Sequence, residues 1–295
     1  MKKFKNKKEV EEFLQEQYIK EQDMHFTPLP EILYKYVSAE RALSCIPEIG
    51  NGTLRATQPP ALNDPFEFKV KMGVNEENKE NTNEFLAENL SNIFTDLDVT
   101  PGQVAEARRN FPRYYIGLLI RDLLSRKIGV ISFSEEHLHQ LMWSHYAEEG
   151  RGFVIGLDPQ KLYDLWPTLK KVGYGHMPDI FGGSAKLTEK QLVDIIYSKG
   201  SVWKYEKEWR LSVNLNETIG TGKKDDQEQP INLIRIPKEA VIKIYRTELT
   251  PETIVDEISN RLQNNEYRTK EVTKLVLSKE AYAYEEENQD RGNNQ

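Results

Sequence analysis

Apolar residues recur at helical spacing in several segments of the chain. The first of these segments predicts an amphipathic N-terminal helix, whose apolar stripe consists of Val10, Phe13, Leu14, Tyr18 and Ile19. Proline, glycine and capping residues give the limits of the other predicted helices. These cover residues 39–46, 108–127 with a break near Pro112, 137–148, a short stretch near Leu162, 187–198 and 251–262.

Short apolar runs and alternation of apolar and polar residues predict the strands. The alternation is strict in residues 66–72, which predicts a strand with one buried face. The other predicted strands are 32–37, 53–57, 128–133, 152–157, 169–174, 231–236, 241–245 and 272–277. Residues 75–99 are polar and acidic and predict a peripheral helix, whereas residues 220–230 read as a polar loop.

The order of these elements predicts one main domain. Two prolines in residues 25–30 indicate a linker after the N-terminal helix. We therefore expect that residues 1–30 form a helix and linker, that residues 31–284 form a single α+β domain, and that residues 285–295 form a polar, disordered tail.

Composition and charge exclude several classes of protein. Apolar residues make up 38% of the chain and charged residues 29%, which is typical of a globular protein. The single cysteine, Cys45, excludes an internal disulfide and a cysteine zinc cluster, and a cytoplasmic location is expected. The net charge of −7 disfavours broad attraction to nucleic acid. No run approaches the ~20 apolar residues of a membrane helix, so no membrane contact is expected.

Residues 203–211 contain the densest set of charged and aromatic side chains. If this segment is a strand, Glu206, Glu208 and Arg210 share one face. Neighbouring carboxylates raise each other's pKa and an arginine lowers it, so such a row can hold one ionised and one proton-accepting group. A solvated strand face with an ordinary ion pair is the alternative interpretation.

An Asn-Asp-Pro turn at residues 63–65 is the second candidate. Asn and Asp side chains bond to the local backbone and proline fixes φ, so a purely structural turn is the default interpretation. In the functional interpretation, the turn holds Asn63 and Asp64 rigidly, where they offer hydrogen bonds to ribose hydroxyls or to a substrate amide.

Two aromatic segments also have alternative interpretations. On a helix over residues 141–147, His145 lies in line with apolar residues, which favours a core histidine slightly over a catalytic one; it has no partner at metal-ligand spacing. In the strand at residues 34–38, Tyr34 and Tyr36 fit core packing as well as ligand stacking. The chain has no dinucleotide-binding glycine fingerprint, no phosphate loop and no nucleophile elbow.

Seven segments together resemble a bacterial family described as domain of unknown function twenty-nine seventy-one. In order, they are LYKYVS (33–38), GTLRAT (52–57), LNDPFEF (62–68), VISFSEE (130–136), LMWSHYA (141–147), RGFVIGLD (151–158) and WKYEKEWRL (203–211). That family is in turn distantly similar to the ADP-ribosyltransferases, especially to DarT-like enzymes. The resemblance implies an α+β fold with a split mixed or antiparallel sheet and peripheral helices, and NAD as the substrate, without a metal.

The resemblance also implies roles for individual residues. Glu208 would stabilise the positive charge that develops on the ribose as nicotinamide leaves, and Glu206 would orient or deprotonate the acceptor. Lys35 or Tyr36 replaces the usual first-strand His or Arg of the superfamily. Residues expected to bind NAD, by stacking or by hydrogen bonds, are Tyr34, Lys35, Tyr36, Ser38, Thr57, Asn63, Asp64, Glu67, Ser134, Trp143, His145, Tyr146 and Arg210.

The predicted function is therefore ADP-ribosyl transfer to a macromolecule, either nucleic acid or protein, by a toxin or antiphage effector with an antitoxin or chaperone partner. One alternative is a binding module in which the charged strand recognises a partner and no NAD is consumed. The other is a metal-dependent nuclease that would use His145 and four carboxylates, namely Asp64, Glu67, Glu206 and Glu208.

Overall fold

The computed structural model describes residues 27–72, 87–88, 91, 99–110, 115–180 and 189–287. The chain divides into two compact units, residues 1–30 and 31–295. Several predictions lie outside the described residues. They are the N-terminal helix, most of the acidic segment 75–99, the start of the helix 187–198 and the end of the tail.

The described strands are short, and most of them fall where the apolar pattern predicts them. In chain order they are β1 (Leu33–Val37), β2 (Gly52–Ala56), β3 (Lys71–Met72), β4 (Ile128–Ser134), β5 (Phe153–Leu157), β6 (Lys170–Lys171), β7 (Gly173–Tyr174), β8 (Asp179–Ile180), β9 (Ser198–Lys199), β10 (Glu208–Asn214), β11 (Ile219–Lys224), β12 (Pro230–Ile236), β13 (Val241–Arg246), β14 (Thr273–Leu277) and β15 (Tyr284–Glu286).

The described α-helices lie between these strands. They are α1 (Ala39–Cys45), α2 (Pro101–Asn110), α3 (Tyr115–Ser125), α4 (Gln140–Tyr146), α5 (Pro159–Leu165), α6 (Glu189–Ile196) and α7 (Glu252–Asn264). The predicted helix 108–127 is thus two helices. Within the described part of the chain, no helix combines the length and the apolar character that crossing a membrane requires.

An eight-stranded sheet, in the order β15-β14-β13-β5-β1-β4-β10-β6, forms the centre of the larger unit. β13 and β14 are parallel, and the other neighbouring strands of this sheet are antiparallel. Every residue of the central strand β5 is buried. α1 packs beside this strand and α7 packs against α1, where Arg261 donates to the carbonyls of Leu43, 2.7 Å away, and Ile46, 2.8 Å away. The predicted α+β class with a mixed sheet is confirmed.

The sheet opens between β1 and β2. β2 belongs to a second sheet, of order β11-β12-β2, and Thr57, just after it, forms an isolated antiparallel bridge with Val130 of β4. β1 pairs with the same strand at its other end, through Tyr34 and Ser134. The two strands therefore border β4 at different positions and leave an opening beside residues 131–133.

The predicted strand at residues 66–72 is wrong. Residues 65–68 form a turn, and strand pairing begins only at Lys71. The turn continues because the Asp64 side chain accepts a hydrogen bond from the backbone of Phe66 at 2.8 Å. Phe66 is left 63% exposed, whereas Phe68 is buried with a positive φ of 61°. A local side-chain bond therefore overrides the apolar alternation.

Three further boundaries differ from the prediction. The helix expected from residue 137 begins at Gln140, because residues 137–138 form a bend in which the carbonyl of His137 accepts the indole N–H of Trp143 at 2.7 Å. The expected loop 220–230 is largely a hairpin of β11 and β12. The expected tail is ordered at its start, where β15, which includes Glu286, pairs with β14.

Gly152 lies where the chain enters β5 and has no room for a side chain. A Cβ there would lie 2.1 Å from the carbonyl oxygen of Val37 and 3.0 Å from the Cα of Ala147, both backbone atoms. We expect Gly152→Ala to lower the free energy of unfolding by about 3 kcal/mol, measured by urea denaturation, because the backbone must shift. Gly102→Ala in α2 is the matched control, since a Cβ there would lie 3.7 Å from the hydroxyl oxygen of Thr100, an ordinary contact distance. Equal stability of the two variants would contradict this expectation.

Candidate functional site

A pocket with a cavity volume of about 210 Å³ lies in the opening between β1 and β2. It brings together three segments that are far apart in the sequence: the tyrosine strand, the Asn-Asp-Pro turn and the two glutamates. Eleven predicted site residues line it, namely Tyr34, Lys35, Tyr36, Thr57, Asn63, Asp64, Glu67, Ser134, Tyr146, Glu206 and Glu208. Residues that the sequence singles out in separate segments therefore border one cavity.

The two glutamates reach this pocket from different elements. Glu206 ends a 3₁₀ helix, Ser201–Glu206, and Lys207 then adopts a left-handed conformation with φ 44° and ψ 50°. Glu208 begins β10. The expectation that both residues lie on one strand face is thus wrong for Glu206. Both are nevertheless buried, at 3% and 1% exposure, because the tight turn at Lys207 brings the two carboxylates to the same side.

A buried lysine holds the glutamates together. The Lys199 ammonium lies 2.5 Å from the Glu206 carboxylate, 3.0 Å from that of Glu208 and 3.3 Å from that of Glu67. The same ammonium lies over the indole ring of Trp203, 5.2 Å from the ring centroid. One cation therefore links three carboxylates from the turn, the 3₁₀ helix and β10.

Arg210 supports the cluster from behind. Its side chain is fully buried and binds Glu208 through Nε at 2.9 Å and Nη2 at 3.1 Å. Nη2 also donates to Glu67 at 2.8 Å, and Nη1 donates to the carbonyl of Ile196 at 2.5 Å. Because the guanidinium is held by four bonds, it fixes the orientation of the Glu208 carboxylate.

The two glutamates have pKa values shifted in opposite directions. Burial alone would raise the pKa of Glu208, but the charges of Arg210 and Lys199 outweigh it and lower the pKa below its usual value. Burial raises the pKa of Glu206, and Lys199 and the hydroxyl of Tyr146, which donates at 2.6 Å, only partly oppose this effect. The three carboxylates of the cluster share two cations, Lys199 and Arg210. Of the two glutamates with shifted pKa values, Glu206 is the less compensated by these cations and is therefore the better proton acceptor.

Lys35 fills part of the opening between the strands. Its ammonium donates to the backbone carbonyl of Ser132 at 2.9 Å, an oxygen that faces the gap between β1 and β2. Burial lowers the pKa of Lys35 to about 8, although the charge of Glu208 partly opposes the shift. The amine is therefore close to losing its proton under mildly alkaline conditions.

This shift predicts a dependence of stability on pH. Between about pH 8 and the usual lysine pKa of 10.5, the unfolded chain holds a proton on Lys35 that the folded protein has released, so stability rises with pH in this window. Urea denaturation should show that the stability difference between wild type and Lys35→Met grows in favour of wild type, by about 2 kcal/mol between pH 7.5 and 10. A difference that is constant or falls with pH would contradict the shift.

Four predicted site residues do not line the pocket. Trp143 is 1% exposed and packs in the core against Tyr36, with ring centroids 5.7 Å apart. Ser38 caps α1 by accepting a hydrogen bond from the backbone of Arg41. The other two are Arg210, which lies behind the glutamates, and the exposed His145.

Lys199 and Arg55 line the pocket but were missed from the sequence. Lys199 lies in the two-residue strand β9, which has no detectable apolar pattern. Arg55 could have been noticed in the sequence, because it is a charged residue between the apolar residues Leu54 and Ala56 of a predicted strand, both of which are buried in β2. Its place in the pocket lining depends on how the second sheet packs against the first, and no local sequence pattern specifies this packing.

Comparison with known proteins gives one result. Residues 142–211 match the family model described as Protein of unknown function (DUF2971), which confirms the family resemblance over that segment. The matched residues run from α4 to the middle of β10 and include Tyr146, Lys199, Glu206 and Glu208. No curated protein and no solved structure matches the chain.

Proposed function

We propose that this protein, whose segment 142–211 is similar to the DUF2971 family, is an ADP-ribosyltransferase that cleaves NAD and transfers ADP-ribose to a macromolecule in the bacterial cytoplasm. One observation carries the proposal: an ionised carboxylate and a proton-accepting carboxylate, those of Glu208 and Glu206, line one pocket in the opening of a mixed sheet. Site geometry, and not composition, is the basis for assigning the reaction type.

The chemistry follows from charge. When nicotinamide leaves, positive charge develops on the ribose, and a fixed carboxylate in a pocket shielded from water stabilises that charge. Glu208 fits this role because Arg210 and Lys199 keep it ionised and oriented before substrate arrives. Glu206, tied to the Tyr146 hydroxyl, accepts the proton of the attacking nucleophile.

The lining also fits a ribose with its ring substituents. Asn63 and the hydroxyls of Thr57, Ser132, Ser134 and Tyr146 belong to residues that line the cavity. A cavity of about 210 Å³ is smaller than the ~300–1,000 Å³ of complete ligand sites. We therefore assign it to the nicotinamide riboside half of NAD, with the adenosine half extending outwards.

Burial disfavours the binding-module alternative. That alternative requires a flat, exposed face formed by Glu206 and Glu208, but the two residues are 3% and 1% exposed. A surface that recognises a partner must be reachable by it, and these side chains line a pocket instead of an exposed face.

Lys199 disfavours the nuclease alternative. Its ammonium already lies among the carboxylates of Glu67, Glu206 and Glu208, at the place where a metal ion would need to bind them. Within the described residues no group of three or more His, Cys, Asp or Glu side chains is arranged so that it could hold a metal ion. His145, the histidine of that alternative, does not line the pocket.

Incubation of the purified protein with NAD labelled in its adenylate part, together with cell lysate, tests the proposal. We expect release of nicotinamide and transfer of label to protein, RNA or DNA. Failure to release nicotinamide with any lysate fraction would refute the proposal. Nucleic-acid cleavage that needs a divalent metal and ignores NAD would select the nuclease.

A further inference from the structure

Arg55 lies on the side of the opening formed by β2. Along this strand the residues alternate, with Leu54 and Ala56 buried and Thr53 and Arg55 partly exposed. Arg55 lines the pocket and its side chain is 29% exposed. It is therefore held by the sheet and still within reach of a ligand.

The guanidinium of Arg55 is only partly used by the protein. Nη2 forms an ion pair with Asp225, whereas Nε is buried and has no hydrogen-bond partner among the described residues. A buried N–H without an acceptor is costly, since its hydration is lost and nothing replaces it. Arg55 lines the pocket, so its side chain has donor capacity left for an acceptor that a ligand brings.

The other lining cations among the described residues are already committed. Lys199 is shared by Glu67, Glu206 and Glu208, and Lys35 donates to the carbonyl of Ser132. Arg55 is thus a lining cation that does not form an ion pair with Glu67, Glu206 or Glu208. A guanidinium whose donors are not all used within the protein is matched to the oxygens of a phosphate.

We infer that Arg55 binds a phosphate group of the ligand, while Asp225 holds the guanidinium in place from its other side. The inference rests on the proposed function for the identity of the ligand, whose diphosphate follows the ribose outwards from the acidic cluster. The pocket then has an acidic end, formed by the carboxylates, and a basic end, formed by Arg55. The carboxylates act on the ribose, and Arg55 fixes the diphosphate that leads to it.

Asp225 is suited to this supporting role. It lies in the tip that joins β11 to β12, and its side chain accepts hydrogen bonds from the backbones of Gln227 and Gln229, each at 2.9 Å. These bonds fix the carboxylate independently of Arg55. Arg55 is therefore a binding residue, and Asp225 positions it.

The test is calorimetric titration of the purified full chain with ADP-ribose and, separately, with inorganic pyrophosphate. The variants are Arg55→Gln and Asp225→Asn, which both remove the ion pair but differ in whether the guanidinium remains. We expect Arg55→Gln to weaken binding of both probes on the order of tenfold, and Asp225→Asn to bind within about threefold of wild type or more tightly. Thermal melting of both variants controls for folding.

Each outcome decides the inference. If the two variants weaken binding equally, Arg55 acts only through its ion pair and the inference is wrong. If neither variant changes binding, or if wild type binds neither probe, the inference is also wrong. If pyrophosphate binds through Arg55 but NAD is never cleaved, the phosphate site stands and the proposed function fails.

Discussion

Replacement of Arg210 by methionine is expected to lower the free energy of unfolding by about 3–5 kcal/mol, the cost of removing one partner from a buried ion pair. The side chain is fully buried and donates to both Glu67 and Glu208. Without it, Lys199 alone faces three buried carboxylates. Methionine fills a similar volume, so the loss measured by urea denaturation reports the charge and not a cavity.

Arg151→Met is the matched control for this prediction. Arg151 pairs with Glu149 at 2.9 Å, but the two side chains are 58% and 76% exposed, and such surface pairs contribute about 0–1 kcal/mol. Adding Glu208→Gln to Arg210→Met should restore part of the lost stability, since it removes a carboxylate left without its partner. A loss of less than 1 kcal/mol for Arg210→Met would show that the network does not depend on the guanidinium.

The sequence was sufficient where local pattern and tertiary structure agree. β10 begins at Glu208 and pairs with β4 along its whole length, so Glu208 and Arg210 share one strand face, as the sequence predicts. Glu206 is different. A left-handed residue at Lys207 ends the preceding 3₁₀ helix, and no proline or glycine in the sequence marks that turn.

Long-range contacts explain the residues that sequence reasoning did not find. Lys199 joins Glu67 to Glu206 and Glu208, and Glu67 is more than a hundred residues earlier in the chain. Periodicity reports which face of an element is buried, but not which distant element covers it. Eleven residues of the pocket lining were predicted from their chemistry, whereas Lys199, which joins the carboxylates, required the fold.

The turn at residues 63–68 shows the same limit for a local feature. Its alternation of apolar and charged residues predicts a strand, yet the hydrogen bond from the Phe66 backbone to Asp64 selects a turn. Because of that turn, Glu67 points inwards and is 4% exposed. An Asp-Pro pair is therefore stronger evidence than four alternating residues.

Substitution of Glu208 by glutamine is expected to lower the rate of NAD cleavage by about 10²–10³-fold, the effect of removing one group that stabilises transition-state charge. The amide keeps the shape of the side chain and an acceptor for Arg210 but loses the negative charge. Since that charge acts on a positive charge that exists only as nicotinamide leaves, kcat should fall while the Kd for NAD changes by no more than a few-fold.

Two further variants separate this effect from a general loss of charge. Glu149→Gln removes a carboxylate that is 76% exposed and should leave cleavage unchanged. Glu206→Gln should reduce transfer to the acceptor more than it reduces nicotinamide release, because Glu206 acts on the nucleophile and not on the ribose. If folded Glu208→Gln, verified by thermal melting, released nicotinamide at the wild-type rate, the ionised carboxylate held by Arg210 and Lys199 would have a structural role alone.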